Sequence, residues 1–202
     1  MTIAARIQEC TGKLGLGDAE NAFIQLAIAI DGTAKQLYPG KKTSERCKQF
    51  LKDSLPFVLW SLSNGTPART SSLSFEIASS SESSERIEFE DLVYKVMRCS
   101  LFHDGELSEK VEFVNAPYIG TLHGRMQFPI ALIGSLLFAV IASPVNEHQR
   151  VSESTSFTFG ETRVPVNHML GNLEKTKIAI RNGFLYDVEY LIENLNAEAN
   201  RT

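Results

Sequence analysis

Apolar residues recur every three or four positions in the first third of the chain, and this spacing predicts amphipathic helices. One helix is predicted after Asp18, with its end near residues 38–40. A second helix is predicted to begin with Thr43 or Ser44 as its N-cap, and Pro56 is expected to kink or restart it. The two helices together predict a helical hairpin.

Four further stretches show helical spacing, namely residues 89–102, 130–143, 172–181 and 184–197. In residues 130–143 apolar side chains cover all sides, which indicates a helix buried in the core. This stretch is much shorter than the roughly 20 apolar residues that a membrane-spanning helix requires. We therefore expect no membrane association.

Three stretches lack helical spacing. Residues 11–17 are rich in glycine but lack the features of a phosphate-binding loop, so a flexible approach to the first helix is expected. Residues 63–84 are rich in Ser and Thr and predict a mobile loop, although the alternation at residues 73–77 leaves an isolated strand open. Residues 156–166 alternate and predict a β-hairpin insert, with Pro165 on an edge strand.

These patterns predict a mostly α protein, a single domain over residues 1–202 with a small β-hairpin or short-strand excursion. The formal net charge of −4 gives no global attraction to nucleic acid, so any RNA contact must be local. Cys10, Cys47 and Cys99 are odd in number and form no CxxC pair, and the N-terminus lacks the apolar run of a secretory signal. We therefore expect a cytoplasmic protein with reduced thiols.

The segment with most chemical content is YKVMRCSLFHDGE, residues 94–106. It places Arg98 and His103, with four residues between them, near the end of a predicted amphipathic helix. This segment resembles the signature of the HEPN superfamily, in which a helix carries an Arg, then a small polar residue, and a His several residues further on. Cys99 stands where asparagine is commoner, and the HDG ending is similar to the HxG of many prokaryotic members. The first predicted helix also looks like the opening helix of such proteins.

The resemblance implies a HEPN-like helical bundle that acts as a metal-independent endoribonuclease, cleaving RNA through attack by its own 2'-hydroxyl. Arg98 and His103 would be the catalytic pair. It also implies a symmetric homodimer whose two motifs face each other, and a toxin or defence role alongside an inhibitory protein partner. No cofactor is expected. The alternative is a noncatalytic HEPN-like module that binds nucleotide, RNA or protein.

The residue types suit this chemistry without the resemblance. His103 can transfer a proton near neutral pH, and the planar guanidinium of Arg98 matches phosphate oxygens. In an uninterrupted helix the two side chains would be rotated by about 140°, so their convergence requires the helix to end or distort near His103. Cys99, Ser100 and Asp104 are candidate orienting groups.

Other interpretations stay open for neighbouring residues. Asp31 would either orient Arg98 or mark a helix boundary before Gly32, because Asp-Gly is also a turn signal. Arg98 would otherwise form a salt bridge with Asp31 or Asp91. A structural zinc site is a further interpretation, and it requires four ligands at recognisable spacing. The candidate ligands are Cys99, His103, His123 and His168. A cluster of cations would either contact phosphate or form a solvated helix face. Its members are Lys41, Lys42, Arg46 and Lys48.

Overall fold

The computed structural model describes residues 2–63, 65–67, 70, 72–78, 84–102, 111–116, 118–123, 125–159 and 161–182. For residues 77–78, 84–85 and 98–102 the description covers the backbone alone. The described part of the chain is mostly α, as the helical patterns predict, with small β-sheets added. The helix predicted over residues 184–197 lies outside the described residues.

The elements follow one another along the chain. The described helices are α1 (Ile3–Gly15), α2 (Ala19–Leu37), α3 (Thr43–Leu62), α4 (Phe89–Phe102), α5 (Ile130–Ala142) and α6 (residues 173–182). The described strands are β1 (Ser74–Ala78), β2 (Ser84–Glu88), β3 (Val111–Val114), β4 (Gly120–Leu122), β5 (Arg125–Pro129), β6 (Ser156–Phe159) and β7 (Thr162–Pro165). Two short 3-10 turns follow α5 and β7, at Pro144–Asn146 and Val166–His168.

The chain starts with a helix, α1, that the sequence patterns did not indicate. The hydroxyl of its N-cap, Thr2, accepts a hydrogen bond from the Ala5 amide at 3.3 Å. The flexible approach expected over residues 11–17 is therefore wrong for most of its length. The packing of a buried stripe against α2 outweighs the low helix propensity of Gly12 and Gly15. The buried residues of this stripe are Ile3, Ala4, Ile7 and Cys10.

α2 and α3 form the predicted hairpin and pack on each other. α2 begins after Asp18, as the pattern predicts, and the carboxylate of Asp18 caps its N-terminus. The N-cap of α3 is Lys42, which has extended backbone angles, so the assignment of Thr43 or Ser44 as N-cap is wrong. Pro56 lies inside α3, which continues without a restart because its apolar face is buried against α2 and α5.

Gly32 lies inside α2, so the interpretation of Asp31 as a helix-boundary residue is wrong. Glycine is favoured at position 32 because there is little space for a side chain. A Cβ at this position would lie 2.9 Å from Cγ1 of Ile3. α1 therefore approaches the backbone of α2 closely, and this approach buries the N-terminal turn of α1.

α5 lies at the centre of the core, which confirms the buried helix predicted for this stretch. Leu136, Leu137 and Ile141 are fully buried, and α5 packs against α1, α2 and α3. Its C-terminal end leads into Asn146, whose side-chain amide donates to the Val140 carbonyl at 2.8 Å. No helix in the part of the chain that the structure describes is long and apolar enough to cross a membrane.

The strands form two hairpins and one mixed sheet. β1 pairs antiparallel with β2, so the alternating stretch at residues 73–77 does contain a strand, but the strand is not isolated. β5 is the central strand of the mixed sheet, parallel to β3 and antiparallel to β4. The rest of the expected loop over residues 63–84 is only partly described, and its mobility stays a prediction.

β6 and β7 form an antiparallel hairpin at the position that the alternating pattern predicts, with Pro165 as the last residue of β7. The hairpin packs on the central helix through aromatic contacts. The ring of Phe138 in α5 lies 4.8 Å from that of Phe157 and 5.6 Å from that of Phe159, measured between ring centres. Such contacts connect the hairpin to the helical core.

Candidate functional site

α4 carries the first part of the Arg-His segment, up to Phe102, and is packed against α3 and α2. Its buried residues recur at helical spacing and define one face of the helix. They are Phe89, Leu92, Val93, Val96 and Met97. Arg98 follows the last of them, so its backbone belongs to a helix that is anchored in the core over most of its described length.

Charged contacts connect the N-terminal half of α4 to α3. Lys48 forms an ion pair with Asp91, and its ammonium lies 5.6 Å from the centre of the Tyr94 ring. Lys52 Nζ lies 3.9 Å from Glu90 Oε1. Because the lysines are well exposed, each pair contributes about 1 kcal/mol or less to stability. The pairs contribute to the orientation of α4 on α3 more than to the stability of the fold.

Asp31 connects α2 to α3. Its Oδ1 accepts hydrogen bonds from Arg46, Nε at 2.9 Å and Nη2 at 2.7 Å, and from the Cys47 thiol at 3.5 Å. The Arg46 side chain is only 14% exposed, so this pair is partly shielded from water. Asp31 therefore has a cationic partner on α3, and its proposed contact with Arg98 stays a prediction.

Cys10 and Cys47 are buried free thiols. Burial raises the pKa of Cys10 to about 12. Burial also raises the pKa of Cys47 to about 12, and the neighbouring negative charge of Asp31 acts in the same direction. Both groups are thus protonated at neutral pH, which makes them poor nucleophiles.

The cations of α3 lie on a surface of mixed charge. A cleft of about 290 Å³ is lined by Lys41, Glu45, Lys48, Gln49, Lys52, Glu90 and Asp91. Lys41 donates to Gln49 Oε1 at 2.9 Å, and Arg46 and Lys48 have the carboxylate partners described above. This surface is therefore not the uniformly positive patch that would bind a phosphate backbone by charge alone.

The residues predicted for the catalytic site lie at and beyond the end of α4. Arg98, Cys99 and Ser100 belong to the helix itself, within its last two turns. His103 and Asp104 lie outside the described residues. The structure therefore brings the first part of the motif onto one helix that packs on α3 and α2, and the Arg98 to His103 geometry stays a prediction.

A family model described as Rv1289 matches residues 2–191. The chain belongs to the Rv1289 family. No curated protein and no solved structure matches it. The matched range of this Rv1289-family chain contains every helix and strand named above, together with the motif segment at residues 94–106.

The zinc alternative stays an open interpretation in this Rv1289-family chain, because His103 and the side chain of Cys99 lie outside the described part. His123 is exposed in the turn after β4, and His168 is exposed after β7. Within the described ranges, no three His, Cys, Asp or Glu side chains are grouped so that they could hold a metal ion.

Sequence reasoning did not predict the polar contact between Tyr38 and Asp53, which connects the end of α2 to α3. The hydroxyl of Tyr38 at the end of α2 donates to Asp53 Oδ2 in α3 at 2.7 Å. The two residues belong to different helices, and neither stands in a recognisable motif. The sequence carried no signal for this contact, because residues 15 positions apart meet here only when the α2–α3 hairpin has formed.

Proposed function

We propose that this Rv1289-family chain is a HEPN-like helical bundle and a metal-independent cytoplasmic endoribonuclease that cleaves RNA by 2'-hydroxyl transesterification. The observation that supports the proposal most directly is the position of Arg98 near the C-terminal end of α4, a helix packed against the α2–α3 hairpin. A core-anchored helix suits the chemistry, because a transition-state donor must be held in place before the reaction begins.

In the proposed reaction the ribose 2'-oxygen attacks the adjacent phosphorus, and the bond from phosphorus to the 5'-oxygen of the next nucleotide breaks. His103 of one chain takes the proton from the 2'-hydroxyl, and His103 of a second chain gives a proton to the departing 5'-oxygen. Arg98 donates parallel hydrogen bonds to the phosphate oxygens, where negative charge increases. The products are a 2',3'-cyclic phosphate and a 5'-hydroxyl.

A symmetric homodimer follows from this scheme, because one motif supplies one imidazole and the reaction uses two. The remaining candidates orient the pair. They are Cys99, Ser100, Asp104 and Asp31. The same resemblance favours a toxin or defence role, in which an inhibitory protein partner covers the paired motifs until cleavage is needed.

The test compares RNA cleavage by the wild-type chain with that by three variants, in the presence of EDTA. His103→Ala should abolish cleavage, and Arg98→Lys should lose most of it because an ammonium lacks the bidentate fork. His148→Ala is the matched control, since that side chain is 89% exposed and lies outside the motif. End analysis of labelled RNA should show 2',3'-cyclic phosphates.

All variants are first compared by thermal unfolding and by mass in solution, so that loss of fold or of dimerisation is separated from loss of chemistry. If the wild-type dimer cuts no RNA, or if His103→Ala cuts as well as wild type, the catalytic assignment is wrong.

One observation favours the noncatalytic alternative. Two of the cations expected to contact phosphate are paired with carboxylates, Arg46 with Asp31 and Lys48 with Asp91. A module that binds nucleotide, RNA or protein without cutting would shift labelled RNA or nucleotide in a binding assay and leave the RNA intact.

A further inference from the structure

A cleft of about 250 Å³ lies where the C-terminal ends of α2 and α5 meet the middle of α3. No described residue of α4 lines it. Most of its walls are apolar, and the main contributors are Leu37, Phe50, Phe57, Ala139, Ala142 and Pro144. A small-molecule site typically combines such walls with a few placed polar groups.

The polar groups lie along one side of the cleft. Asp53 accepts hydrogen bonds from the Tyr38 hydroxyl at 2.7 Å and from the Gln49 side-chain amide at 2.8 Å. Burial, and then the nearby carboxylate, raises the pKa of Tyr38 well above its usual range, so the phenol stays a donor. The hydrogen bonds from Tyr38 and Gln49 therefore hold the carboxylate of Asp53 in a defined orientation.

The charge of Asp53 is not paired with a cation. In the part of the chain that the structure describes, no Lys, Arg or His nitrogen lies within ion-pair distance of its oxygens. Lys41 approaches the same region, but it donates to Gln49 and lies 5.6 Å from the centre of the Tyr38 ring, and it does not line the cleft. The carboxylate thus keeps acceptor capacity beyond its two internal donors.

The end of α5 adds to the negative potential. The last turn of α5 contains no basic residue, and a helix C-terminus carries a partial negative charge. Ser143, the residue after α5, also lines the cleft, and its buried hydroxyl has no hydrogen-bond partner among the described residues.

We propose that this cleft binds a small organic cation, a protonated amine attached to a compact apolar group. The apolar group would contact Phe50, Phe57 and the alanines of α5, and the ammonium would donate to Asp53. An anion of the same shape would be repelled by the carboxylate and by the end of α5. The volume is at the lower end of ordinary ligand pockets, which suits a single ring or a short chain.

The probes are three molecules of nearly equal size, namely phenethylammonium, neutral 2-phenylethanol and anionic 3-phenylpropionate. Binding is measured by calorimetry on the full chain, with thermal unfolding as a second readout. Asp53 is exposed to solvent, which weakens the pairing of its carboxylate with a cation. We therefore expect the ammonium to bind about two- to fivefold more tightly than the alcohol, and the carboxylate to bind most weakly of the three. Asp53→Asn should remove that preference while keeping the side-chain shape.

Two further variants complete the design. Glu45→Gln removes the same charge from the same helix outside the cleft, so it should bind phenethylammonium like the wild type. Ser54→Met fills the cleft and should abolish binding of both the ammonium and the alcohol, with the thermal unfolding temperature retained. Failure of RNA cleavage would leave these results unaffected.

Three outcomes would overturn the proposal. The first is that phenethylammonium does not bind even at a concentration of 10 mM, which would place its Kd about 10³ times above that of a 10 µM ligand. Another is equal affinity for the three probes, or unchanged affinity in Asp53→Asn. The third is that no probe binds the wild type and that Ser54→Met converts a wild-type dimer into monomers. This result would assign the cleft to a second copy of the chain.

Discussion

Among the described glycines, Gly171 is the one at which an added Cβ would come closest to the backbone of another residue. Its φ is +70°, and a Cβ there would lie 2.4 Å from both Cα and Cβ of Glu147. Its amide donates a hydrogen bond of 2.8 Å to the carbonyl of Ile141, in the last turn of α5. Gly171→Ala therefore forces the backbone to move where the chain closes over the central helix.

The expected loss of stability has two parts. Holding alanine in the left-handed region costs about 1–2 kcal/mol, from which about 0.4–1 kcal/mol is recovered by the stiffer unfolded chain. Displacing the backbone of Glu147 adds about 1–3 kcal/mol, the usual cost of forcing extra atoms into a packed site. The sum is about 1–5 kcal/mol, which corresponds to a fall in Tm of roughly 2–20 °C for a chain of this size.

Gly17→Ala is the matched control. Gly17 has a similar φ of +73°, but no atom lies within 4 Å of the position of an added Cβ. Its expected cost is therefore the conformational part alone, about 1 kcal/mol. Urea unfolding followed by circular dichroism gives the free energy of unfolding of both variants. Equal losses in Gly171→Ala and Gly17→Ala would show that the close approach to Glu147 does not occur.

Two other predictions concern buried polar groups. Asn146→Ala should lower the free energy of unfolding by about 1–3 kcal/mol, because it removes the bond to the buried Thr33 hydroxyl and one bond to the Val140 carbonyl, which keeps the Ser143 amide as a donor; a loss below about 0.5 kcal/mol in urea unfolding would contradict this. Since the folded pKa of Cys10 is raised from 9.0 to about 12, the unfolded chain loses this proton first, so stability should fall as the pH rises from about 9 toward 12. Cys10→Ala should flatten that part of the pH profile, and an unchanged slope would refute the assignment.

Local periodicity was enough to predict several elements. The apolar stretch at residues 130–143 became α5, because a short run that is apolar on all sides has no stable place except the core. The alternating stretch at residues 156–166 became β6 and β7 for a similar reason, since a period of two places Phe157 and Phe159 on the same face. Arg98 was placed on a helix because its neighbours repeat at helical spacing.

Elements that depend on distant partners were missed. α1 carries two glycines, and its stability comes from a stripe that packs on α2, so the local signal was weak. β2 has the sequence SERIE, and it is a strand because β1 pairs with it. The bond of Asp31 to Arg46 depends on how α2 and α3 are aligned in the hairpin, which periodicity does not determine.

α3 separates the two proposed sites, and this has a consequence for their coupling. Lys48, which contacts α4, and Phe50, which lines the cleft, are two positions apart, so they point in directions about 200° apart around the helix. Ser54 and Phe57 continue the cleft side at helical spacing, and Lys52 continues the side that meets α4. A ligand in the cleft touches no described residue of α4, and it therefore lacks the differential contact that would shift a catalytic conformation. Phenethylammonium should leave RNA cleavage unchanged, and a change in cleavage that Asp53→Asn removes would instead demonstrate coupling through α3.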